Sequence, residues 1–315
     1  MKKGLIALGL FVLLLSLATF IFIPSQLHIF AVTGMKANRN AVFRSLADQV
    51  NWATWWPCEN KGLANTNNLL TFNNYSFQLT KKFYNAVEVA TIKKNQIIGG
   101  KIIIIPITND SLIVQWQNTF ATSINPFIRI QQYLEAINIK KNVAALLDSL
   151  KSFSENKQKV YGFPIHHTTL KDTALVAIKA VTPVYPSTTF IYNIVAELRA
   201  YIKSHNGKEA NYPMLNVTKR DDFHYEVIIA VPTNKPLIGN QRIVSKRMII
   251  YKDKLLTADV NGGPENIMRA HQALNDYMSD YNLISPVIKW ESIITDRSKE
   301  KDSTKWVTKI CIPIV

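Results

Sequence analysis

The sequence predicts an α+β protein: two mixed domains behind an N-terminal apolar segment. Three observations predict it. Apolar alternation of period two and apolar stripes of period 3.6 take turns along the chain, so neither class dominates. The first half reads strand, helix, several strands, long helix. The second half carries one strand–helix–strand–strand order twice, as a tandem repeat does. The length of 315 residues accommodates two ordinary domains. Hydrophobic residues make up 47% and charged residues 19%, a composition that folds. Two cysteines, Cys58 and Cys311, exclude a disulfide framework and a thiolate zinc site.

The first element is the run Gly4 to Ile23, 20 nearly continuous apolar residues preceded by Lys2 and Lys3. At 1.5 Å per residue a helix of that length is about 30 Å long, the hydrocarbon thickness of a bilayer. Its long core and the bulky exit at Phe22-Ile23-Pro24-Ser25 differ from a cleaved signal peptide. The expectation is an uncleaved transmembrane anchor over residues 4–23, hence a single-pass membrane protein. The positive-inside rule then puts the remaining chain on the extracytoplasmic side.

After the anchor, Leu27 to Met35 alternates as a strand, and Asn38 is placed to cap a helix carrying Val42, Phe43, Leu46 and Ala47. An aromatic loop follows, Asn51-Trp52-Ala53-Thr54-Trp55-Trp56-Pro57. Strand-like runs come next: Leu69 to Thr80, Phe83 to Lys93, Gln96 to Ile107 and Ser111 to Phe120. Thr108-Asn109-Asp110 reads as a hairpin turn. A long helix with Tyr133, Leu134, Ile137, Val143, Leu146, Leu147 and Leu150 on one face closes this half. The polar stretch Ser152 to Lys159 marks the boundary. Beyond it, the stripes from Phe190 to Ile202 and from Ile267 to Tyr281 are the two helices of the repeat, with His271 inside the second. The strands around them suggest one pseudo-twofold sheet with both helices on one face.

Residues 26–153 resemble the START-like SRPBCC superfamily, which includes polyketide cyclase-like members. The resemblance is carried by the strand running into Lys36, the helix Asn40 to Ala47, and Asp48 followed by Trp52-x-x-Trp55-Trp56-Pro57. The long helix from about Ile128 to Phe153 matches too. It implies a helix-grip fold, a curved sheet around that helix with an apolar cavity between. Residues 160–315 resemble the GyrI-like effector-binding domain, also found attached to bacterial transcription regulators. Here the carriers are Pro286-Val287-Ile288-Lys289-Trp290-Glu291, Thr295-Asp296 and the closing strand Lys305 to Ile314, with Tyr212-Pro213 and Phe223 to Val227 in the centre. Two positions depart from that pattern. Ile293 stands where the family has Tyr, and Asn261-Gly262-Gly263-Pro264 replaces His-x-Gly.

The GyrI-like resemblance places Glu291 in a cleft between the two repeats, facing cationic or polar ligands among aromatic walls. A desolvated carboxylate and aromatic rings both attract a cation. The alternative is a surface Glu291 paired with Lys289 or Lys305. Trp290 neighbours it as a candidate wall. Trp52, Trp55 and Trp56 are candidates for a cavity mouth or for packing of the helix–loop junction, and Trp116 for lining the first cavity or for ordinary core. His166 and His167 alternate across a strand and make a poor chelate. No H-E-x-x-H, C-x-x-C or acidic triplet occurs, so no metal is expected. No nucleophile motif is present, so no catalytic residue is assigned, and no cofactor is implied. Gly99-Gly100 and Gly262-Gly263 read as turns.

Lys+Arg 37 against Asp+Glu 22 gives a net charge of +15. The excess is spread over both halves without an arginine-rich arm, which argues against nucleic acid as the partner and suits anionic lipid headgroups. The expected function is membrane-anchored small-molecule binding without chemistry, the ligands being apolar or amphipathic in the first domain and polar-aromatic or cationic in the second. The rivals are a hydrolase or cyclase with Glu291 as general base, and a regulatory module that binds a protein partner.

Overall fold

The computed structural model describes residues 10, 13–14, 16–57, 69–94, 96–169, 173–248 and 254–315. The chain divides into two compact units, residues 1–156 and 157–315.

The expected single-pass anchor, and with it the membrane localisation, is corrected. Among the described residues no helix is long and apolar enough to cross a membrane. The rest of the apolar segment, residues 4–9, 11, 12 and 15, lies outside the described residues.

In the first unit, β1 (Gln26–Met35) is followed by α1 (Arg39–Ala47) and α2 (Gln49–Trp55). Asn38 caps α1 by accepting from Asn40 N, and Asp48 caps α2 by accepting from Val50 N. The aromatic stretch expected to be a loop is therefore largely helix, because Asp48 restarts it. Then come β2 (Leu70–Phe72), β3 (Tyr75–Lys82), β4 (Ala86–Lys93), β5 (Gln96–Thr108) and β6 (Ser111–Ala121). They form one antiparallel sheet in the order β1-β6-β5-β4-β3-β2. Gly99 and Gly100 lie inside β5, not in a turn. Gly100 opposes Asn118, and a Cβ there would stand 2.3 Å from Asn118 Nδ2, so only hydrogen fits.

The long helix α3 (Pro126–Ser154) starts at Asn125, whose side chain accepts from Phe127 N and Ile128 N. Pro126, at the first helical position, has the φ that position needs. Its buried apolar positions are Ala136, Ile139, Val143, Leu146, Leu147, Leu150 and Phe153. Tyr133, Leu134 and Ile137, expected on that stripe, are exposed. The stripe is offset by a residue or two in the first half of the helix, where Ala136 and Ile139 are the buried apolar positions. The polar stretch Ser152 to Lys159 is shared between the end of α3 and the start of α4 (Lys157–Tyr161).

The second unit contains β7 (Ile165–Thr168), β8 (Thr173–Thr182), α5 (Thr188–Ser204), β9 (Met214–Lys219) and β10 (Tyr225–Thr233). The same order returns as β11 (Val244–Met248), β12 (Leu255–Asn261), α6 (Pro264–Asp280), β13 (Trp290–Ile293) and β14 (Val307–Pro313). Each repeat is thus strand–strand–helix–strand–strand. All eight strands join one antiparallel sheet, β11-β8-β10-β9-β13-β14-β12-β7. The order is symmetric about the β9–β13 pair, and the repeats exchange their outer strands. β7 of the first pairs with β12 of the second, while β11 of the second pairs with β8 of the first.

Helix α5 packs Ile191, Ile194, Val195, Leu198 and Ile202 on Val176, Ile178, Leu215, Val227 and Ile229 of the sheet. Residues paired across an antiparallel ladder share a face. Leu215 pairs with Glu291, and Glu291 with Ile310, so Glu291 projects from the sheet face that α5 covers.

Candidate functional site

A cleft of about 590 Å³ opens over the central strands β9 and β13, between the first turns of α5 and α6. The residue opposite Glu291 in the first repeat is Leu215, so the carboxylate stands where the symmetry supplies an apolar side chain. Pro186, Ser187, Thr188 and Ile191 border the cleft from α5 and the residues leading into it, and Pro264, Ile267, Met268 and His271 from α6. Ser187 caps α5 by accepting from Phe190 N. Gly262, with φ +110, turns the chain into α6 in a conformation that L side chains rarely adopt.

Glu291 is not a free anion. Its Oε1 lies 3.0 Å from His271 Nε2. A carboxylate oxygen accepts, so Nε2 carries the proton and donates. Its Oε2 is 3.9 Å from Arg297 Nη2. Arg297 itself stacks over the Trp306 ring at 4.7 Å and donates from Nη2 to Thr308 Oγ1 at 2.8 Å. Its loop is pinned from α5. The Tyr192 hydroxyl accepts from Arg297 N at 2.7 Å and donates to Thr295 O at 3.3 Å. The side chains of Glu291 and Arg297 are 13% and 8% exposed, so their charges are largely desolvated. His271 Nδ1 and Arg297 Nε are buried without a hydrogen-bond partner.

Trp290 borders the same cleft. Its ladder neighbour across β14 is Cys311, and its ring packs with Leu175, Ala177, Met214 and Ala230. Neighbouring residues of a strand face opposite ways, so Trp290 and Glu291 work on different faces. The tryptophans of the first unit come together elsewhere. Trp52 and Trp56 stack at 5.4 Å, Trp55 tilts against both, and Phe77 bridges Trp56 to Trp116 by edge contacts of 5.4 and 5.8 Å. All four tryptophans are buried. Three of their indole N–H groups donate to backbone: Trp52 to Leu46 O, Trp55 to Ser45 O and Trp56 to Thr71 O. That is the bonding of core aromatics. Trp116 Nε1 is buried without a partner beside Asn118.

His271, Arg297, Trp306 and the pinning Tyr192 were not candidates on the sequence. His271 had a signal, a titratable ring within an apolar helical stripe. Arg297 had none, since a cation after a Thr-Asp loop is ordinary. Among the described residues no group of His, Cys, Asp and Glu is placed to hold a metal ion.

No protein-family model matches the chain, and no curated protein matches it. Solved structures do. The EcmrR–DNA complex is similar at 15% identity over 60% of this chain and 71% of that one, with a TM-score of 0.45. The EcmrR C-terminal domain is similar at 12% identity over 49% of this chain and 98% of its own, with a TM-score of 0.42. SAV2435 bound to tetraphenylphosphonium is similar at 16% identity over 48% and 94%, with a TM-score of 0.31.

Proposed function

We propose that the protein binds a small molecule in the cleft of its second unit, read as a GyrI-like effector-binding module over residues 160–315. The ligand is an aromatic molecule carrying a polar group. The observation that carries this reading is the cleft itself: an apolar floor from Leu215, Ile267 and Ile191, an aromatic wall from Trp306, and one convergent polar set, Glu291, His271 and Arg297. Concave apolar sites with a few placed polar groups are the usual form of a small-molecule site. The first unit is read as a START-like helix-grip module over residues 26–153. Trp52, Trp56 and Trp116 are buried in aromatic packing there, and the ligand site proposed is the cleft of the second unit.

The hydrolase or cyclase reading takes Glu291 as general base, and its one supporting observation is a largely desolvated carboxylate bordering the cleft. The geometry disfavours it. Oε1 of Glu291 already accepts from His271 Nε2 and Oε2 faces Arg297 Nη2 at 3.9 Å, which leaves neither oxygen open toward a substrate proton.

The test is a thermal-shift screen of small aromatic compounds against the full chain and its Met268→Trp variant. Met268 lines the cleft and is 67% exposed, so the larger ring obstructs the site without entering the core. Compounds that stabilise the wild type are expected to lose their effect in the variant at an unchanged unliganded melting temperature. Hits that survive Met268→Trp place the ligand elsewhere.

A further inference from the structure

We propose that Arg297 is a resident counter-cation for Glu291, and that the cleft consequently takes small aromatic acids and rejects lipophilic cations. This rests on the cleft being the binding site and adds the charge of its ligand.

An external cation seeking Glu291 would want two things, the carboxylate and an aromatic face. Arg297 already has both. It lies 3.9 Å from Glu291 Oε2 and 4.7 Å from the Trp306 centroid. It is fixed by Thr308 Oγ1 on one side and by the Tyr192 clasp on its own backbone. The other carboxylate oxygen is taken by His271. A ligand ammonium would therefore have to displace a guanidinium that is 8% exposed, or sit beside it against like-charge repulsion.

Three further features favour an anion. The Nε–H of Arg297 is a buried donor with no acceptor, and an orphaned charged donor gains most from a carboxylate. Lys289 is the remaining charged lining residue, so fixed cations outnumber fixed anions there. The first turns of α5 and α6 both border the cleft. Helix N-termini carry partial positive charge, and each of these helices has 17 residues over which its peptide dipoles align.

The experiment titrates the full chain with three probes of one aromatic body: 2-naphthoate, 2-naphthamide and 2-naphthylmethylammonium. Calorimetry is expected to rank the acid first, the amide next and the ammonium last, with about tenfold to hundredfold between the ends. Arg297→Met keeps an unbranched apolar chain and removes the guanidinium. It is expected to reverse the order, because Glu291 loses its nearest fixed cation. Should that variant fail to fold, Glu291→Gln answers the same question by leaving Arg297 uncompensated, and the preference for the acid widens. The assignment is overturned if the wild type binds the ammonium as tightly as the acid, or if the acid-over-ammonium ratio neither falls in Arg297→Met nor widens in Glu291→Gln. If the amide binds but charge has no effect, the cleft remains the site and only the charge assignment falls. If none of the three probes binds, the binding-site reading falls and takes this inference with it.

Discussion

At the scale of single residues, the second unit sets burial against charge in two places. In the cleft, Glu291 keeps its carboxylate largely away from water by meeting His271 and Arg297. On β14, burial pushes the Cys311 thiol up to about 11, outweighing the Ser292 hydrogen bond and the Lys309 charge that favour the thiolate. The folded-state value then lies above the unfolded one of 9.0. The native state holds the proton where the unfolded state has released it, so stability falls as pH rises from about 9 toward about 11. We expect the urea midpoint of the wild type to drop across that window relative to Cys311→Ala. In a Cys58→Ser background, a thiol reagent at neutral pH should leave Cys311 unmodified until the protein unfolds. Rapid labelling of native protein would contradict the burial. Single-residue logic was also where sequence reading reached its limit. Glu291 was a candidate through the GyrI-like resemblance, and His271 was legible only as one ring within a helical stripe. That Arg297 meets Glu291 depends on how the loop after β13 folds back under Tyr192, which no local pattern encodes.

At the scale of elements, periodicity located most strands and both helices of the repeat, since each buries one face and so repeats its apolar residues at two or 3.6. It missed the short helix α2, where Asp48 as a cap outweighs the loop-like appearance of the aromatic run. It also misplaced the first half of the α3 stripe, where Tyr133, Leu134 and Ile137 are exposed. The exchange of outer strands lay beyond it, because pairing partners leave no trace in one strand's own pattern. That exchange is testable. A fragment of residues 157–240 keeps β7 but lacks β11, and a fragment of residues 241–315 keeps β11 but lacks β7. Each half then carries a strand whose partner lies in the other. We expect neither to melt cooperatively alone, and co-expression to yield a complex that does, followed by circular dichroism and copurification. A cooperative melt of either fragment alone would show that the exchanged strands are dispensable.

At the scale of the molecule, each unit has its own sheet, its own helices and its own core. Trp52 is fully buried in the first unit, with its ring against Trp55 and Trp56 and its N–H on Leu46 O. Trp52→Ala is expected to cost about 3–5 kcal/mol through the cavity it leaves. Calorimetry should show one thermal transition lowered and another in place. The Met268-lined cleft should still respond to ligand. A uniform downward shift of all unfolding would mean the units melt as one. The exchanged strands of the second unit also bear on folding speed. Thr168 of β7 meets its partner Leu255 across 87 residues, and in the first unit Gln26 pairs with Ala121. Pairings so distant along the chain slow a fold's formation to milliseconds or seconds, because loop-closure entropy is spent before any contact rewards it. Throughout that interval β7 has an unsatisfied edge that any other extended chain can occupy. Dilution should thus raise the refolding yield of the full chain, and concentration should lower it, even though the native protein has that edge paired.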